Sequence, residues 1–190
     1  MLYRFCLAAV AALVMSGHVH AAECPEVAGL PGDKVAEFLE AHGRGADPQC
    51  VADGILRLGY LRPKIDSSQI EVLVGFLDFQ MPETGLDKYV SSMTDRFPAV
   101  SALCDIGESM VPHLIKKLGG GQMTRIARGN GIRTLVYLFR RNPSQAVKAL
   151  KDGARAAASK SEAIELESCA AEAAQLCTGR WREGCAAVLQ

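Results

Sequence analysis

No Cys-x-x-Cys, no His-Glu-x-x-His and no Gly-x-Ser-x-Gly occurs in this sequence. The common structural-zinc spacing, the zinc-hydrolase helix and the serine nucleophile elbow are therefore all missing. Histidine is sparse, and beyond residue 21 only His42 and His113 remain. The glycine run Gly119-Gly120-Gly121 has no strand pattern before it and no Gly-Lys-Ser or Gly-Lys-Thr after it. It reads as a helix stop and link, not as a phosphate cradle. Neither sign of charge prevails, with 21 Lys+Arg against 21 Asp+Glu. That balance, and the spread of Arg125, Arg128, Arg133, Arg140 and Arg141 around one helical stretch, argue against nucleic acid as a partner. Aromatic residues make up 6% and hydrophobic residues 49%, a composition that suits a packed helical protein and excludes a disordered one.

Long apolar runs are missing as well, except at the start. Arg4, then an apolar stretch from Phe5 to Met15, then small and polar residues form the pattern of a secretory signal peptide, too short to span a membrane comfortably. Cleavage is expected after Ala21, with Val19 and Ala21 at the positions where small or β-branched residues fit. Glu23 stands where a lipid-attachment site needs a small residue before Cys24. The expected product is exported, periplasmic or secreted, with no integral membrane segment once the signal is removed.

The stretch that organises the rest is FPAVSALCDIGESMVPHLIKKL, Phe97 to Leu118. At a helical period it gives one apolar face from Val100, Leu103 and Ile106 and a second from Val111, Leu114, Ile115 and Leu118. Pro98 and Pro112 suit the first turns of two helices, and Gly107 suits a left-handed end to the first. The pattern recurs on both sides. Upstream, ILRLG (Ile55 to Gly59) lays onto LCDIG (Leu103 to Gly107), and QIEVLVGFL (Gln69 to Leu77) onto MVPHLIKKL (Met110 to Leu118). Downstream, Gly131 to Lys151 supplies a third pair with Asn142-Pro143 as its turn. Leu73, Leu114 and Leu150 hold equivalent places 41 and 36 residues apart, a spacing used by helical-hairpin repeats.

The central unit and the following RGNGIRTLVYLFRR resemble the HEAT-repeat family over roughly Gln49 to Asp152. The resemblance implies an all-α fold, a short right-handed α-solenoid of about three HEAT-like hairpins with capping helices at both ends. In that layout residues 1–21 are the signal, 22–48 a capping helix, 49–152 the repeats and 153–190 a C-terminal helix with a cysteine-stapled cap. The resemblance also implies a binding function and carries no shared catalytic motif. Asp105 occupies the family's acidic place, while Arg57 and Tyr137 hold the corresponding positions in the other units. Candidate partner-contact residues are Arg57, Asp105, Arg133 and Trp181, the last a cap over the core or an anchor for a partner.

Beyond the signal, six cysteines remain, an even number that favours disulfides in an exported chain. Cys24 and Cys50 bracket the first amphipathic helix, Leu30 to Glu40, for which Asp33 is the expected N-cap, and can clip that helix to the first repeat. Near the C-terminus, Cys177 with Cys185 or Cys169 with Cys185 can staple a closing hairpin. Cys104 reads as a buried apolar thiol, or as the partner of a leftover C-terminal cysteine, and not as a nucleophile. Ala154 to Leu176 reads as one long closing helix, and Gln80 to Arg96 as a binding loop or, equally, a decayed helix.

Two functions stay open. The first is a module that binds a protein or peptide through the second helices of the repeats and the Gln80 to Arg96 loop, with no cofactor. The second is a small periplasmic hydrolase with a site in the concave face whose residues the sequence does not pick out. Asp105 and Glu108, three apart, can share a helix face as a carboxylate pair but read equally as solvated charges near a helix end, and a deep polar pocket on which His42 or Asp105 converges would favour this reading.

Overall fold

The structure, a computed structural model, describes residues 24–61, 64–82 and 96–178. Within them the chain is all-α, without a strand. The expected signal peptide, most of the Gln80 to Arg96 loop, Trp181 and Cys185 lie outside the described residues. Helix α1 spans Gly32–His42, α2 Pro48–Tyr60, α3 Ser67–Gly75 and α4 Pro98–Ile106. A 3-10 turn at Glu108–Met110 leads into α5, Val111–Gly119, followed by α6 at Arg125–Leu138, α7 at Ser144–Ala156 and α8 at Lys160–Thr178.

Local chemistry sets these ends. Asp47 Oδ1 accepts from the N–H groups of Gln49 (2.9 Å) and Cys50 (3.4 Å), and Pro48 fills the first turn of α2. Asp66 and Gln69 form a reciprocal capping box on α3, with bonds of 2.9 and 3.1 Å. Thr124 Oγ1 caps α6 by accepting from Ala127 N–H at 3.1 Å. Gly107 ends α4 at φ 85° and ψ −150°. The positive φ was expected, but the ψ is extended and not left-handed helical, a region open essentially to glycine alone.

Three expectations need correction. Asp33 is not the N-cap of α1, because the helix already begins at Gly32, with Pro31 in the cap position. Asp33 lies in the first turn, where its charge still suits the helix dipole. Ala154 to Leu176 is not one helix. Ser159 Oγ accepts from Glu162 N–H at 3.1 Å and Glu162 Oε2 from Ala158 N–H at 3.0 Å, which stops α7 and starts α8. Cys169 is not half of a disulfide: it is a free thiol buried in the core-facing side of α8.

Helix α2 lies along α4 and α4 along α6, while α3 lies along α5 and α5 along α7. Helix α1 covers α2 and α3, and α8 covers α7, α5 and α6. Leu73, Leu103, Leu114, Leu135 and Leu150 are fully buried within one apolar core that runs from Val35 to Ala173. The α2–α4 contact is close, backbone to backbone: a Cβ on Gly59 would lie 2.8 Å from both Cα and Cβ of Ala102. Buried Asn130 ties α6 to the chain just beyond α3, and Thr134 donates to the Asn130 carbonyl at 2.8 Å.

The expected Cys24–Cys50 disulfide is present, with S–S 2.00 Å and Cα–Cα 5.0 Å. It joins the segment before α1 to the first turn of α2, above buried Val27. Two further bonds hold that segment down: Cys24 N–H donates to Asp53 Oδ2 at 2.8 Å, and Arg57 Nε to the Leu30 carbonyl at 3.0 Å.

Candidate partner-binding groove

A groove of about 500 Å³ opens between α3 and α5, with the end of α1 on one side. Ser68, Glu71, Val72 and Gly75 recur on α3 at the three- and four-residue steps that align side chains on one helix face. His113, Lys116 and Lys117 do the same on α5, and Gly120 extends that line just beyond it. Glu40 of α1 and Gln122 complete the rim, while Val74 and Phe76 contribute its buried apolar side.

Charge is unevenly placed within this groove. Lys116 Nζ donates to Glu71 Oε1 at 3.0 Å, and His113 Nδ1 lies 3.6 Å from the same oxygen. The Lys116 ammonium holds the Glu71 carboxyl below the usual carboxylate range, and His113 adds to the effect. Glu71 and Lys116 are both more than half exposed, so their pair contributes little to stability and exchanges readily with water.

Of the candidate contact residues, the described ones, Arg57, Asp105 and Arg133, do not line this groove. Arg57 is half-buried in α2 and lines a hollow of about 380 Å³ with Asp53, Leu56, Tyr60 and Leu61. Its Nε bond to Leu30 gives it a structural task. Arg133 is exposed on α6, in a cleft of about 290 Å³ shared with Glu172 and Gln175 of α8. Asp105 sits at the end of α4 beside Cys104. Burial pushes the Cys104 thiol up to about 12, and the Asp105 charge adds to the rise while Arg140 opposes it. Cys104 is partly buried, and a thiol raised this far holds almost no thiolate near neutral pH.

None of Asp105, Glu108 and His42, the residues named for an enzymatic site, lines the α3–α5 groove. His42 is exposed at the end of α1 and packs obliquely on Phe38, ring centroids 6.0 Å apart. Among the described residues, the grouping with metal-ligand spacing is Cys24, Glu26 and Cys50. Its two sulfurs are bonded to each other and offer no thiolate. Cys177 Sγ lies 3.9 Å from the Pro143 carbonyl oxygen, in the packing of α8 on α7. No helix among the described residues is long and apolar enough to cross a membrane.

Sequence reasoning missed the groove. Its cations stand in plain sight at His113, Lys116 and Lys117, but the spacing alone gives no sign that Glu71, 45 residues before Lys116, faces them. Comparison with family models, curated proteins and solved structures found no match to this chain.

Proposed function

We propose that the protein is an exported helical-repeat module that binds a protein or peptide in the groove between α3 and α5. The observation that carries this reading is the groove itself: two helices of equivalent repeat position present aligned, exposed polar side chains along an open channel. The along-and-along packing of α2, α4 and α6, and of α3, α5 and α7, supports a right-handed solenoid of about three HEAT-like hairpins. In such a stack the second helices form one continuous face. The Cys24–Cys50 disulfide supports an oxidising compartment and hence export.

Site-specific photo-crosslinking in the native organism tests the reading. A photoreactive residue at Gln122, on the groove rim, should trap a discrete partner in the exported fraction. The same residue at Ser144, at the start of α7 and outside the groove lining, should not. Equal trapping from both positions, or none from Gln122, rules the groove out.

A further inference from the structure

The groove's charge pattern says what kind of partner it fits, and this inference rests on the binding reading above. Helix α5 carries Lys116, Lys117 and His113 and no acidic residue. Its neighbour α7 carries Lys148, Lys151 and Arg155 against Asp152 alone. The chain as a whole is balanced, and within the groove lining Lys116 and Lys117 of α5 face Glu71 of α3 and Glu40 of α1, while α7, outside the lining, adds positive charge beside α5. Lys117 has no ionic or hydrogen-bond partner among the described residues, although it lines the groove. Lys116 has one, and that partner is a carboxylate from the facing helix, Glu71.

We propose that the groove takes an extended, acidic peptide segment, whose carboxylates bind Lys116, Lys117 and His113, and that Glu71 occupies this cation site until the peptide displaces it.

The geometry supports an exchange of this kind. Glu71 Oε1 accepts from Lys116 Nζ at 3.0 Å with His113 Nδ1 3.6 Å away, so the site already accommodates a carboxylate. The side chains of Glu71 and Lys116 are 53% and 76% exposed, and an ion pair that open to water is held by well under what buried pairs require. Replacing one carboxylate by another leaves the number of charge pairs unchanged. Lys117 then supplies a further pair that Glu71 does not use. Glu40, which has no ionic partner among the described residues, lines the groove from α1 and repels acid, so the part of the peptide beside α1 must be neutral or basic. Helix α3 has nine residues, about 13 Å at 1.5 Å each, a length that about four residues of extended chain cover.

Fluorescence anisotropy on the purified full chain tests this with three labelled short peptides: one rich in Glu and Asp, its Gln/Asn counterpart and its Lys counterpart. The acidic peptide should bind best and lose affinity several-fold from low to high salt. Lys117→Ala and Lys116→Ala should each weaken it about threefold, the size of an exposed ion pair. Glu71→Gln should tighten it about threefold, because the internal competitor is gone. All three residues are on the surface, and unchanged helical circular dichroism confirms that each variant folds.

Equal binding of the Gln/Asn peptide, preference for the Lys peptide, or no binding of the acidic peptide overturns the proposal. So does weaker binding by Glu71→Gln, which would make Glu71 a ligand contact and not a competitor. Binding of inorganic polyphosphate with no binding of the acidic peptide overturns it as well. If Gln122 traps a partner yet the acidic peptide shows no preference, the binding module stands and only the acidic partner falls.

Discussion

The side-chain amide of Asn130, in the middle of α6, donates to the backbone carbonyl of Leu77 at 2.8 Å, across 53 residues of chain. Asn130 is 1% exposed and Leu77 fully buried, so no water is available to replace either partner. The bond pins the end of the first helical pair to the start of the third. Asn130→Ala leaves the Leu77 carbonyl unsatisfied and should cost about 1–3 kcal/mol in urea denaturation. Thr134 bonds to the Asn130 backbone, so Thr134→Val should be milder.

Reduction of Cys24–Cys50 should lower stability at the N-terminal end. The bond closes a loop with a sequence separation of 26, for which chain entropy predicts about 3–4 kcal/mol. The expected outcome is a lower melting temperature for the Cys24→Ser, Cys50→Ser double variant. Added reductant should lower the melting temperature of the parent chain and leave that variant unchanged.

Two glycines in helices should respond to alanine in opposite directions. At Gly59 the new methyl meets Ala102 at 2.8 Å, backbone included, and Gly59→Ala should cost about 1–3 kcal/mol. At Gly129, inside α6, a Cβ meets nothing within 4 Å, and the better helix propensity of alanine should add about 0.5–1 kcal/mol. Differential scanning calorimetry of the two single variants decides the matter, since a shared sign would contradict the helix spacing at Gly59.

On the acid side, stability should follow three surface carboxylates. Asp66 is held below its ordinary range mainly by the Ser68 hydroxyl, Glu71 by Lys116 and Asp152 by Lys148. A folded-state value below the unfolded one means that each contribution is complete above the ordinary carboxylate range, about 4, and is lost as pH falls through the lowered value. Urea midpoints measured from neutral pH down to about 3 should therefore fall, more at low salt than at high. Glu71→Gln should fall less. Lys34, raised by its bond to Glu37, acts in the opposite sense, its contribution being lost only as alkaline pH passes its raised value.

The buried thiols should be silent in the native state. Cys104, pushed up to about 12, and Cys169, raised by burial, hold almost no thiolate near neutral pH. Alkylation at mildly alkaline pH followed by peptide mass mapping should leave both unmodified until denaturant is added. Rapid native labelling of Cys104 would show that its surroundings open far more readily than its burial implies.

Much of the helical layout is written in apolar periodicity. Val100, Leu103, Leu114 and Leu118 repeat at helical steps, and those steps predict buried faces that the structure has. Asp47-Pro48 and Gly107 mark ends by covalent preference, which a sequence displays directly. The break between α7 and α8 is different, because alanine-rich sequence keeps a helical pattern through it. Its signal is the Ser159-x-x-Glu162 box, a start mark that competes with the surrounding helix propensity. The Glu71–Lys116 contact has no local signal, since it follows from α3 lying on α5 and from nothing within either helix. Arg57 illustrates the converse: a basic residue on an amphipathic helix reads as solvent-facing, and only the fold reveals the Leu30 carbonyl waiting for it.

The stop at Ala157 to Ser159 also sets an order in time. Because α8 turns back there, Leu166 comes to rest buried over Gly119 of α5 and beside Ile115 over Gly153 of α7. A ribosome has to deliver residues 160–178 before that apolar edge can close. Until then the apolar surface that Leu166 covers is exposed on the emerging chain and open to chaperones.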